Sequence, residues 1–158
     1  MRAFPGFPDR PAIIRRERTW SWAQLAGRVQ AAAGALVARG VRHGDRVLVH
    51  ARNSNAVLES MFASWMIGAT WVPTNFRLTP PEVAYLAASS GAVVHTFDVG
   101  FEAHAQAARD ANPAARLHLD LGAGWESLQA EGQLEHAADV DRDHPCWLFY
   151  TSGTTGRP

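Results

Sequence analysis

The chain has 158 residues, of which 47% are hydrophobic and 19% charged, a balance that excludes general disorder and suits a single folded domain. Fifteen cations, all arginine, offset fifteen carboxylates, so no net field draws the chain to nucleic acid or to an anionic bilayer. No run of about 18 uncharged apolar residues and no leader of signal-peptide type is apparent, so no transmembrane segment is expected and the cytoplasm is the expected compartment.

After a Pro-rich lead-in, residues 12–20 read as a short hairpin whose flanks enclose Arg15, Arg16 and Glu17. A helix follows with a well-marked start. Ser21 and Gln24 form a capping box, Trp20 and Leu25 are spaced as a hydrophobic staple, and Leu25, Val29, Ala32, Ala33 and Leu36 recur at helical spacing. Residues 45–50 read as a strand, 56–67 as a largely apolar helix ending at Gly68, and 70–73 as a short strand. Thr79 and Glu82 repeat the capping box with Pro80 at the first helical position, and Gly91 closes that helix. A strand is expected at 92–97, a helix at 102–111 and a weaker strand at 116–121. Residues 122–143 are polar and are expected as a surface excursion, with one helical turn at most around Trp125. Residues 146–150 form a continuous apolar run, expected as a strand buried on both faces, with Cys146 as a buried thiol that has no disulfide partner.

Strands and helices alternating at this spacing predict an α/β fold with a mostly parallel sheet flanked by helices, in an order that the sequence leaves open. In such sheets ligands sit beyond the carboxyl ends of the strands, which is where Thr151, Ser152, Gly153, Thr154, Thr155 and Gly156 emerge. Glycines that admit close backbone approach and three hydroxyl donors, at Ser152, Thr154 and Thr155, suit a phosphate chain. The spacing is not that of the common nucleotide loop, because Gly153 and Gly156 are separated by two residues and followed by Arg157. On spacing alone a flexible polar turn remains an equal reading.

The string Tyr150-Thr151-Ser152-Gly153-Thr154-Thr155-Gly156-Arg157-Pro158 resembles the signature phosphate loop of the adenylate-forming superfamily, which includes acyl-CoA synthetases, luciferases and peptide-synthetase adenylation domains. Three upstream blocks agree in order: Thr19 to Leu25, Gly40 to Val47, and Gly68 to Thr79, the last similar to the block of fatty-acid and related carboxylate-CoA ligases. The resemblance implies that a carboxylic acid, by analogy a fatty acid, is activated by ATP with Mg2+ to an acyl-adenylate and passed to coenzyme A. It also implies that Thr151, Ser152, Gly153, Thr154, Thr155 and Gly156 hold the phosphates. Arg157 is expected to be auxiliary, and Asn75 and Arg77 to support the sheet edge and a helix start.

No catalytic residue is expected within this stretch. None of the seven histidines forms a convincing ligand pair at helical spacing, so no metal site is expected either, and Asp141, Asp143 and His144 read as a polar turn. By resemblance, residues 1–158 correspond to the amino-terminal portion of a large adenylate-forming domain, cut within the phosphate loop and expected to be inactive alone. Two other readings stay open: a free-standing phosphate-binding module, and a non-catalytic piece that self-associates through exposed surface. Amino-acid adenylation is the alternative chemistry within the family.

Overall fold

The computed structural model describes residues 7–151. Strands β1 (Pro11–Arg15) and β2 (Arg18–Ser21) pair antiparallel as the expected hairpin, with Arg16 at φ 54° in its turn. Then follow α1 (Trp22–Ala38), β3 (Arg46–His50), α2 (Asn55–Met66), β4 (Thr70–Pro73), α3 (Pro80–Ser90), β5 (Val94–Phe97), α4 (Glu102–Ala111), β6 (Leu117–Asp120) and α5 (Ala123–Gln129). The sheet is parallel with strand order β4-β3-β5-β6. Leu48 lies opposite both Val72 and His95, and Thr96 opposite Leu119, so the carboxyl ends of all four strands share one edge.

Local chemistry sets the element boundaries. At the start of α1 the Gln24 amide donates to Ser21 Oγ at 3.2 Å and the Ser21 amide donates back to Gln24 Oε1 at 2.8 Å. At the start of α3 both the amide and the hydroxyl of Thr79 donate to Glu82 Oε2, at 2.6 and 2.7 Å. Such caps satisfy N–H groups that a helix leaves without partners and contribute about 1 kcal/mol each. Gly91 ends α3 in the left-handed region at φ 58°, where a side chain would be strained.

The sheet divides two cores. Val47, Val49 and Val94 face α1 and α2 together with Leu25, Val29, Leu36, Ala63 and Trp71. Leu48, Val72 and Phe97 face α3 and α4 with Val83, Leu86, Phe101 and Ala108. The chain leaves β3 toward β4 and then crosses back to β5, so β3 and β5 flank the point where the direction of winding reverses.

Two segments depart from expectation. Residues 122–143 are not a loose surface excursion: α5 packs on α1, and Trp125 and Leu128 are fully buried. A short amphipathic turn in a polar stretch carries too little periodic signal to reveal this, yet burying a side chain as large as Trp125 contributes about 2–3 kcal/mol. Residues 146–150 make a single parallel bridge, Trp71 to Trp147, instead of a strand buried on both faces. Among the described residues nothing pairs with their outer edge, so Cys146 and Phe149 are exposed and Trp147 is 37% exposed. Cys146 is therefore an exposed thiol, contrary to the buried one its apolar neighbours suggest.

Candidate functional site

The segment that delivers the Ser/Thr/Gly loop is fixed to the outside of β4. The Trp71 amide donates to Cys146 O at 3.0 Å, the Leu148 amide donates to Trp71 O at 3.0 Å, and the Thr70 hydroxyl donates to Pro145 O at 2.9 Å. Trp65 on α2 adds an indole N–H to Cys146 O at 2.7 Å. Because the bridge is parallel, the segment runs with β4, and Thr151 emerges at the same edge as Thr74 and Asn75. Side chains alternate across it. Trp147 packs its ring 5.1 Å from Trp71 and 4.5 Å from Phe149, while Leu148 and Tyr150 rest on the α3/α4 core and the Tyr150 hydroxyl donates to Ser89 Oγ at 3.1 Å. Thr151 is exposed. Ser152, Gly153, Thr154, Thr155 and Gly156, together with Arg157, lie outside the described residues.

Neighbouring strand ends are closed by packed rings instead of open loops. At the end of β3, His50 is fully buried, and its Nδ1 lies 2.7 Å from Thr74 Oγ1. The Thr74 hydroxyl also lies 3.1 Å from Val49 O, so it links the ring to the strand backbone. Its ring stacks on His104 at 4.7 Å and meets Phe101 edge-on at 4.6 Å. Burial, aided by repulsion from His104, lowers the His50 pKa to about 4, so the imidazole is neutral at physiological pH. Arg52 lies over Phe101 at 4.7 Å and faces Asp98 at 3.9 Å. Asn75 supports the following turn by accepting the Arg77 amide at 3.0 Å, the structural role expected for that block.

Two hollows lie near titratable groups. One, about 170 Å³, opens at the ends of β5 and β6 between Phe97, Phe101 and Arg109. Its carboxylates are already occupied by the local backbone: Asp98 accepts from Val99, Glu102 from Gly100, and Asp120 from Gly122 and Gly124. The other, about 560 Å³, is lined by His43, Asp139, Asp141, Asp143 and His144 and lies by the residues that precede β3 and β4, at the amino edge of the sheet. Among the described residues no group of three His, Cys, Asp or Glu side chains could hold a metal ion. Nor is any described helix long and apolar enough to cross a membrane.

A polar cluster lies under α1, and its partners are too far apart along the chain to be read as a motif. Glu59 on α2 is fully buried and accepts from five donors: Arg28 Nε at 2.7 Å and Nη2 at 3.1 Å, Asn55 at 3.0 Å, Trp125 Nε1 at 2.9 Å and Gln129 Nε2 at 2.9 Å. Burial opposes its charge, but the hydrogen bonds and the Arg28 charge outweigh burial and hold its pKa below the usual carboxylate value. For Arg28 burial likewise opposes the charge, and the bonds from Glu126 and Glu59 outweigh it, so its pKa is raised. The cluster's one local trace is a lone carboxylate in a largely apolar helix.

The model of the AMP-binding enzyme family matches residues 2–158, nearly the whole chain and continuous through the strand exit and the Ser/Thr/Gly string. This chain belongs to the AMP-binding enzyme family. It is 40% identical over 153 residues to a feruloyl-CoA synthase from Amycolatopsis sp, covering 96% of this chain and 29% of that protein. It is 39% identical over 160 residues to an indoleacetate–CoA ligase from Aromatoleum aromaticum, covering 96% of this chain and 31% of that protein. The crystal structure of an anthranilate CoA ligase in complex with anthranoyl-AMP superposes with a TM-score of 0.91 at 25% identity over 98% of this chain and 31% of its own. The chain therefore spans under a third of the length of each of these three proteins. The parallel sheet flanked by helices is the corresponding part of the family's adenylate-forming fold.

Proposed function

We propose that the protein carrying this chain is an acid–thiol ligase. A carboxylate oxygen attacks the α-phosphorus of ATP, forming an acyl-adenylate as the bond to pyrophosphate breaks. The sulfur of coenzyme A then attacks the acyl carbon, and AMP leaves. Activation is needed because a carboxylate has no good leaving group, whereas its adenylate does. Charge grows on the departing pyrophosphate, and preorganised N–H and O–H donors lower that barrier without reorganising.

In this reading Thr151, Ser152, Gly153, Thr154, Thr155 and Gly156 supply the donors, with Arg157 auxiliary. The observation that carries it is the parallel attachment of residues 146–150 to β4, which brings Thr151 to the carboxyl edge of the sheet. Mg2+ accompanies ATP, with ligands outside the described residues, and the compartment is the cytoplasm. Because the chain spans under a third of its relatives, the activity is assigned to the whole protein and not to residues 1–158 alone.

Two acid classes remain distinguishable. The block Asn75-Phe76-Arg77 resembles that of fatty-acyl and aryl acid ligases alike, and relatives at 40% and 39% identity are named for feruloyl and indoleacetate, both aromatic acids. The names favour an aromatic acid. Acid-dependent ATP–pyrophosphate exchange by the full-length protein tests both levels. Exchange with ferulate or indoleacetate above that with straight-chain acids is expected; a preference for straight-chain acids reverses the substrate reading, and no exchange with any carboxylate removes the ligase reading.

A further inference from the structure

Between α5 and the edge segment the chain forms a strap across the helices, and it is held by close backbone approach. A Cβ on Gly132 would lie 2.2 Å from Ala35 N and 2.3 Å from Ala31 O, and one on Gly34 would lie 2.4 Å from the Gln133 backbone. Glycine on α1 and glycine on the strap therefore allow a crossing that no side chain fits. Beyond the crossing the strap is fastened in sequence. The Leu134 amide donates to Gln30 O at 3.0 Å, the Ala138 amide donates to Met66 O at 2.7 Å, and His144 Nε2 meets Gly68 O at 2.8 Å. Pro145 and Cys146 then receive the bonds from Thr70, Trp65 and Trp71 described above. Upstream, the strap is anchored where Trp125 and Gln129 reach Glu59.

This matters because residues 146–150 cannot set their own register. In a strand buried on one face, a one-residue slip is costly because it turns every side chain to the other face. Here both faces are apolar, Trp147 and Phe149 on one and Leu148 and Tyr150 on the other, and the segment has one bridge to β4. Among its side chains the Tyr150 hydroxyl on Ser89 Oγ is a single exposed polar mark of register, too little to fix the segment alone. The strap fixes it.

We propose that the Gly34–Gly132 crossing and the strap it seats are positioning elements for the segment that leads into the phosphate loop: they fix the register of residues 146–150 and thereby where Thr151 stands. The proposal rests on the ligase reading for its functional consequence, and the test separates the two. In the full-length protein, Gly132→Ala is compared with Gly27→Ala, a substitution on α1 whose added Cβ meets nothing within 4 Å. Gly132→Ala is expected to speed hydrogen exchange at the Leu134, Ala138 and Leu148 amides at least tenfold while leaving the β3 and β5 amides unchanged. It should raise the KM for ATP at least fivefold and leave the KM for the acid within twofold. Gly27→Ala should change none of these.

An unchanged Leu148 amide overturns the proposal, as does a fall in kcat with both KM values unchanged, which would report only lost folded enzyme. If Gly132→Ala does not fold, Trp65→Phe removes the indole bond to Cys146 O while keeping a smaller aromatic ring at that position. It should raise both Leu148 exchange and the KM for ATP about threefold, and no change in either sinks the idea. Should the unmodified protein show no ATP chemistry, the ligase reading fails, and exchange at Leu148 alone decides whether the strap sets the register.

Discussion

On the face of the sheet covered by α1, α2 and α5, the buried carboxylate Glu59 gathers donors from three helices, and Trp125 and Gln129 reach it from 66 and 70 residues away. On the face covered by α3 and α4 the buried titratable groups with lowered pKa values are imidazoles. His50 bonds Thr74, and His95 Nε2 lies 3.2 Å from the Asn112 amide nitrogen, each pair at a strand held by nearby helices. Burial comes first in lowering both pKa values to about 4. One face keeps a charge and surrounds it; the other keeps titratable rings neutral by desolvating them. A distant polar clasp is a specific device that fastens late-arriving chain to an early helix, and neutral rings fill a face that local apolar packing already holds.

The sharpest way to break this contrast is Glu59→Ala. Removing the carboxylate leaves Arg28 with Glu126 as its remaining anionic partner and the donors of Asn55, Trp125 and Gln129 turned inward without that acceptor, which should cost about 3 kcal/mol. Urea unfolding of the full-length protein measures it, and a loss under 1 kcal/mol would mean that the cluster is wetted and weak. Glu59→Gln should lie between the two, since it keeps shape and loses charge.

The imidazole face gives a pH signature of opposite logic. His50 and His95 bind protons near pH 6.5 when unfolded but only near pH 4 when folded. The unfolded state thus binds more protons between those values, so stability is full above pH 6.5 and falls as pH drops toward 4, on the order of 1–3 kcal/mol for each ring. Melting curves at pH 7 and pH 5 should separate. Replacing the rings with amides that copy their bonded nitrogens, His50→Asn and His95→Gln, should flatten that difference, and an unchanged slope would assign it to other groups. The smallest expected effect is Ser21→Ala, about 1 kcal/mol from one lost cap, because it touches neither cluster.

The same contrast explains what could be read from residues alone. Both capping boxes, the closing Gly91 and the apolar runs of β3, β4 and β5 are local signals, and each element stands within a few residues of where they place it. The Glu59 clasp was illegible because its partners lie far along the chain. Helix α5 was illegible because Trp125 and Leu128 sit in a stretch too short and polar to show a period. Residues 146–150 misled in the other direction: an apolar run reads as a buried strand, and nothing local shows that its outer edge has no partner among the described residues. For the candidate site, the loop string was legible by resemblance, and the structure contributes the parallel attachment that leads to it.

The central claim is that Thr151 through Gly156 handle phosphate in an acid-activating enzyme, and Thr154→Ala in the full-length protein tests it most directly. Carboxylate-dependent ATP–pyrophosphate exchange should fall about 10²-fold, the scale of losing one preorganised donor to a developing charge, while the melting temperature stays put. An exchange rate equal to that of the unmodified protein would contradict the claim and take this loop out of the reaction.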